Sequence, residues 1–257
     1  MAEVRALVSV AHPDDETFGT GSVIAALVAG GAHVTVCCAT RGEEGEDPFG
    51  LVQGADLGEV REGELRAAGA VLGVHDFVLL GLRDSGMTGD AGQDTLAGAP
   101  FDDVVRRVGE VVDAVRPTVV VTLDPDHGDG HRDHVRIGQA TVAACRGRAG
   151  VEVYYWVLGR DVLRDWFAEL ARMDPDAAHL ALDVDQAGVG RTDDDVSVVL
   201  DSTPYREVRE RAMREHATQK PPFDGMPDDL VSRFLTEDRL TRVLPPWSGG
   251  PPATALI

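Results

Sequence analysis

The sequence predicts an α/β protein: a Rossmann-like, three-layer α/β/α sandwich around a mostly parallel sheet. Apolar, β-rich runs recur along the chain, RALVSVA, HVTVCCAT, DFVLLGL, TVVVTL and VEVYYWVL, each followed by a longer stretch of helical character. The runs are continuously apolar rather than alternating, as strands covered on both faces require. At 257 residues the chain can bury a sizeable core as one large domain, and no linker divides it before its last forty residues.

In chain order, the first strand is followed by a helix from Glu16 to about Val28, closed by Gly30 and Gly31. The second leads to a helix from Leu57 to Leu72 closed by Gly73, and the third to one from Phe101 to Val115 closed by Pro117. The fourth leads to a helix from His134 to about Arg146, and the fifth to one around Leu163 to Met173. HLALDVD and VSVVLD read as two more strands and Pro204 to Thr218 as a helix, with no order that the sequence dictates. These pieces define a domain over 1–220. The tail over 221–257, punctuated by PPF, LPPW and GGPP, reads as an extension packed on or near it, serving as lid, interface or wrap.

Composition removes several function classes. Acidic residues number 44 against 24 basic ones, a formal charge of -20, so a polyanion or an anionic membrane meets a repulsive field. No apolar window approaches bilayer length and the N-terminus carries no signal segment, so a cytoplasmic protein is expected. Cys37, Cys38 and Cys145 form no paired motif and read as small core residues. Lys220 is the only lysine and is badly placed for Schiff-base chemistry. GTGSVIAALVAGG lacks the third glycine of a dinucleotide turn, and the carboxylates of HPDD would repel a pyrophosphate.

Long loops follow the second, third and fourth strands, all at strand carboxyl ends, and loops of that length in a compact domain are usually functional. Doubly wound order, 3-2-1-4-5, sets the first and fourth strands side by side and places a ligand at their carboxyl ends. The first strand ends in His12-Pro13-Asp14-Asp15-Glu16; the loop after the fourth carries Asp124, Asp126, His127, Asp129, His131, Asp133 and His134. Helix capping accounts for aspartates here: Asp14 or Asp15 as one N-cap, Asp133 as another, with Glu16 in a first turn. It does not account for the histidines, since imidazole is an indifferent cap. Two histidines and a carboxylate suit a divalent ion, zinc above all, with ferrous iron compatible. His12, Asp15 and His134 are then candidate ligands, and Asp14 a general base taking a proton from metal-bound water. His131 is placed to stabilise an oxyanion or protonate a leaving group, and Asp133 to orient a histidine.

AHPDDE and H-x-D-H, here Ala11 to Glu16 and His131 to His134, closely resemble the signature of the LmbE-like, or PIG-L, family of zinc-dependent N-deacetylases. The resemblance implies the same ligands, base and transition-state histidine. It extends through TRGEEG, REGEL, LRDSGM and REHATQ, and implies substrate contacts for Arg61, Asp84 and His216; Gln219 would lie near the site. Arg41, on a loop at the same edge, and Arg61 read equally as solvated arginines or as a substrate clamp. Asp129 stands where mycothiol-precursor deacetylases of the family carry tyrosine. The expectation is therefore removal of an acyl group, acetyl above all, from a small-molecule amino sugar such as a natural-product or thiol-pathway glycoside, with a homo-oligomer left open. The alternatives are a mycothiol S-conjugate amidase and a non-catalytic, metal-retaining sugar-binding protein; a metal phosphoesterase lacks phosphate-binding donors.

Histidines without a polar cluster, His33, His75 and His179, read as surface or satisfied residues, and His127 as a loop residue near the site's mouth. Glu43, Glu44 and Glu46 read as a solvated rim, and Asp193 to Asp195 as a turn before a strand.

Overall fold

The expected strands form over β1 (Arg5–Val10), β2 (His33–Cys38), β3 (Asp76–Leu79), β4 (Val119–Leu123) and β5 (Glu152–Val157) of the computed structural model, which describes residues 4–173 and 184–257. Two further strands, β6 (Val198–Asp201) and β7 (Glu237–Leu244), complete one seven-stranded sheet in the order β3-β2-β1-β4-β5-β7-β6. The five N-terminal strands pair in parallel; β7 lies antiparallel between β5 and β6. Leu7, Val8, Val34, Val36, Val120 and Val121 are fully buried, which is why these runs carry no polar alternation.

Helices α1 (Gly21–Ala29) and α2 (Leu57–Leu72) pack with α7 (Arg206–Met213), while α3 (Phe101–Val115) packs with α4 (Arg132–Cys145). The Asp56 carboxylate caps α2 by accepting from the Glu59 N–H at 2.9 Å, and Gly73 ends it in the left-handed conformation at φ 84°. Arg116 ends α3 the same way, one residue before Pro117. Gly138 lets α4 lie against the end of β4: a Cβ there would stand 2.4 Å from the Leu123 carbonyl oxygen. That close approach sets the start of α4 beside the end of β1, which is paired with β4 from Ala6–Val119 to Ser9–Thr122.

Several elements differ from expectation. The helix expected from Glu16 is two pieces, a π-helical turn over Asp15–Gly19 and then α1. The α4 helix begins two residues early, at Arg132, because His131 caps it. The helix expected from Pro204 to Thr218 stops at Met213, after a 3-10 turn over Thr203–Tyr205. Of HLALDVD, 179–183 lie outside the described residues and Val184–Ala187 is a helical turn, α6, following α5 (Arg160–Met173). The segment beyond 220 forms α8 (Asp228–Thr236) and then β7, so it supplies an interior strand of the sheet rather than only a wrapping tail. Asp193–Asp195 is a 3-10 turn ahead of β6, as expected. Cys37, Cys38 and Cys145 are buried and unpaired, and no described helix is long and apolar enough to cross a membrane.

Candidate active site

β1 and β4 end side by side, and the residues that leave them converge. His12, His131 and His134 form one group, and His12, Asp84 and Asp133 another, whose ligand atoms lie within 4.8 Å of one another. Either could hold a cation; the expected set of His12, Asp15 and His134 is neither of them, Asp15 standing beside His12 and His134 instead. Two of the imidazoles have one nitrogen engaged by carboxylates and the other turned toward Asp15. The Nε2 of His12 meets Asp133 Oδ2 at 3.2 Å and Asp84 Oδ1 at 3.4 Å, which leaves Nδ1 facing Asp15 Oδ2 at 3.7 Å. The Nδ1 of His134 meets Asp129 Oδ2 at 2.9 Å, which leaves Nε2 facing Asp15 Oδ1 at 3.2 Å. Asp15 is itself held by the Ala11 and His12 N–H groups, which donate to Oδ2 at 3.0 and 2.8 Å.

Asp15 thus stands between two ring nitrogens, each on a ring whose other nitrogen is held by a carboxylate. A carboxylate behind the ring is the usual support of a metal-binding histidine. The charges agree. Burial opposes protonation of His12, yet Asp133, Asp84 and Asp15 outweigh it and raise the pKa to about 9. Burial likewise works against the charge on His134, and Asp15 and Asp129 raise it well above the ordinary value. Burial alone would lift the Asp15 carboxyl, but His134 and His12 hold it well below the usual range. A site that draws protons onto two imidazoles draws a divalent cation by the same field.

His131 has a different role from the cap-indifferent histidine expected. Its Nδ1 accepts the Asp133 N–H at 3.1 Å, making His131 the N-cap of α4 in place of Asp133. Its ring lies edge-on to His12 at 4.7 Å and stacks on His134 at 4.8 Å. Burial, with His12 and His134 nearby, lowers its pKa. A neutral ring whose Nδ1 accepts must carry its proton on Nε2, so His131 offers a hydrogen-bond donor. Asp133 is fully buried, lies 3.2 Å from His12 Nε2 and accepts the Ser85 N–H at 2.9 Å.

Asp14 has a strained backbone, φ 118° and ψ -33°, and its side chain makes no cap hydrogen bond. Burial pushes its carboxyl up to about 6, although Arg61 works in the other direction. Arg61 is only 3% exposed and donates to the Pro13 carbonyl at 2.6 Å, the Gly42 carbonyl at 2.8 Å and Asp14 Oδ2 at 3.1 Å. Gly42 makes room for it: a Cβ there would lie 2.2 Å from Arg61 Nη1.

The residues expected to contact substrate separate. Arg61 is sealed under the Asp14 loop, and Asp84 is buried against His12. His216 is 2% exposed and bonds Glu16 Oε1 at 2.6 Å, so its side chain has no open face for a substrate. Arg41 is half-exposed and pairs with Glu62 at 2.9 Å on α2. Gln219 donates to the Glu46 carbonyl at 3.2 Å, on the loop after β2. His127 bonds the Gly188 carbonyl through Nδ1 at 2.5 Å and is outside both groups of candidate ligands. His33 pairs with Asp76 and His75 accepts the Val34 N–H; His179 lies outside the described residues.

Glu16 lies in a first turn, as expected, but sequence reasoning missed its burial: it accepts from the Asp14 N–H, Thr17 Oγ1 and His216. It also missed the contact of Asp129 with His134, although the carboxylate five residues before a histidine was a readable sign.

Residues 7–145 match the family model described as PIG-L: GlcNAc-PI de-N-acetylase. The chain is 38% identical over 223 residues to a 1D-myo-inositol 2-acetamido-2-deoxy-alpha-D-glucopyranoside deacetylase of Saccharomonospora viridis, spanning 81% of this chain and 82% of that protein. To the deacetylase of the same name from Mycobacterium sp. (strain KMS) it is 42% identical over 229 residues, 84% of this chain and 74% of that one. Among solved structures, the N,N'-diacetylchitobiose deacetylase from Pyrococcus horikoshii superposes with a TM-score of 0.65, over 94% of this chain and 84% of that chain. At 18% identity the likeness concerns the fold.

Proposed function

The chain belongs to the PIG-L family of GlcNAc-PI de-N-acetylases, and from that premise we propose that it hydrolyses the acetamide of an amino-sugar glycoside with His12, Asp15 and His134 as metal ligands and Asp14 as general base. The observation that carries the reading is the pair of ring nitrogens flanking Asp15, each on a ring whose other nitrogen is held by a carboxylate.

A divalent ion bound there supplies Lewis-acid polarisation of the amide carbonyl and of water. Two imidazoles and a carboxylate suit zinc, and also ferrous iron. Asp14 removes a proton from water as its oxygen closes on the acyl carbon. His131 donates its Nε2–H to the carbonyl oxygen as negative charge grows there. With its own pKa lowered, His131 is suited to hydrogen bonding in the neutral form rather than to carrying a charge. Asp14, with a carboxyl pushed up to about 6, returns the proton to the amine nitrogen as the C–N bond breaks. Acetate and a free amine leave.

The first glycoside to test is 1D-myo-inositol 2-acetamido-2-deoxy-alpha-D-glucopyranoside, after which relatives at 38% and 42% identity are named. Incubation with it, with N-acetylglucosamine and with a bulkier thiol-conjugate amide, followed by a primary-amine assay, is expected to show amine from an acetylated sugar. Chelation should abolish that release and zinc or ferrous iron restore it. Amine from the thiol conjugate alone would reassign the bond cleaved, and no amine from any of the three would refute the reading.

A further inference from the structure

We propose that the buried Glu16–His216 pair is a positioning device for Asp14, holding its backbone in the positive-φ conformation that aims the carboxylate. The inference rests on the reading of Asp14 as base.

Of the three described non-glycine residues with positive φ, Gln53 and Arg116 lie at 44° and 51°, in or near the ordinary left-handed basin, whereas Asp14 lies at 118°. Such a conformation persists only where its surroundings impose it. The Asp14 N–H donates to Glu16 Oε2 at 2.9 Å, and its carbonyl accepts from the N–H groups of Thr17 and Phe18 at 2.9 and 2.7 Å.

Glu16 divides its two oxygens. Oε1 takes His216 Nε2 at 2.6 Å and the Thr17 hydroxyl at 2.5 Å, which turns Oε2 toward the Asp14 N–H. The Nδ1 of His216 is buried and unbonded, so the imidazole commits its polar contact to Glu16. The segment that carries it is anchored in turn: Thr218 donates from N and Oγ1 to the two oxygens of Glu64 on α2, at 2.9 and 2.7 Å. Phe18 packs edge-on to the His216 ring at 5.7 Å. A wholly buried, hydrogen-bonded pair of this kind is a poor source of stability and a better source of a unique geometry.

The test separates aiming from folding. Steady-state kcat and KM, metal content and melting temperature are measured for Glu16→Gln and His216→Gln, each also combined with Asp14→Gly. The glutamine at 16 keeps the shape of glutamate but presents an amide to at least one of three donors. With Asp14 present, each single variant should lose about 30-fold or more in kcat, within the range of a misplaced general base. KM should move by less than about threefold and metal content should hold. With glycine at position 14, which takes positive φ without strain and has no carboxylate to aim, the same changes should alter the residual rate by less than about twofold. Two variants are used so that poor folding of one leaves the other to carry the cycle. The inference is overturned if both singles keep wild-type kcat, or if the losses are as large in the Asp14→Gly background as with Asp14 in place. Wild-type turnover by Asp14→Gly itself would instead overturn the base assignment.

Discussion

His134 presents Nε2 toward Asp15 because Asp129 holds its Nδ1–H, and the same carboxylate accepts the His131 N–H at 2.9 Å. Asp129 therefore fixes both the tautomer of one candidate ligand and the loop that precedes the second motif. Asp129→Ala should lower affinity for zinc by about 10–100-fold, the usual effect of removing a carboxylate behind a ligand. Competition with a chromophoric chelator measures it, and an unchanged affinity would show that His134 is oriented without Asp129. At this scale the convergence of AHPDDE and HRDH was readable because capping leaves His12 and His134 unexplained, whereas His131, read as no cap, is the cap of α4. The partners of Glu16 were not: His216 stands 200 positions away, and only the folded chain shows that a glutamate resembling a first-turn residue is a buried acceptor.

The π-helical turn after β1 is held by an element far along the chain. Arg209 of α7 donates to the Thr17, Phe18 and Gly19 carbonyls at 3.1, 2.5 and 2.9 Å, and to Asp238 of β7 at 3.5 Å. Arg209 is 1% exposed, so Arg209→Met takes the side-chain donor from those three carbonyls where water is scarce and the balancing charge from Asp238, which keeps Trp156 and Ser202 as donors. The expected loss of stability is about 3–5 kcal/mol, read from urea unfolding; a loss below about 1 kcal/mol would mean that the turn is held elsewhere. Elements with local stop signals were legible: Leu57–Leu72 and Phe101–Val115 end at Gly73 and before Pro117 as expected. β7 was not. EDRLTRVL carries charges at Glu237, Asp238, Arg239 and Arg242, unlike the apolar parallel strands, and its place between β5 and β6 comes from antiparallel pairing that no local pattern records. Several of those charges are paired, Arg239 with Asp161, Asp193 and Glu237, and Arg242 with Glu152.

Over the whole molecule, parallel strand order 3-2-1-4-5 is what brings two motifs more than a hundred residues apart to one switch point. The chain around them bears a formal charge of -20, which favours a neutral sugar amide over a polyanionic partner. At this junction the proposed reaction is hydrolysis of an acetamide with Asp14 as base. Its most direct test is kcat/KM for acetate release against pH, for metal-loaded wild type and Asp14→Asn. Burial raises the Asp14 carboxyl to about 6 and a bound cation lowers it, so wild-type activity should rise with pH as the proton leaves, half-complete at or below about pH 6. Asp14→Asn should keep its metal, lose that limb and fall by about 10²–10⁴-fold. Wild-type turnover by the Asp14→Asn variant, or a wild-type rate that is highest while Asp14 is protonated, would rule out Asp14 as the base.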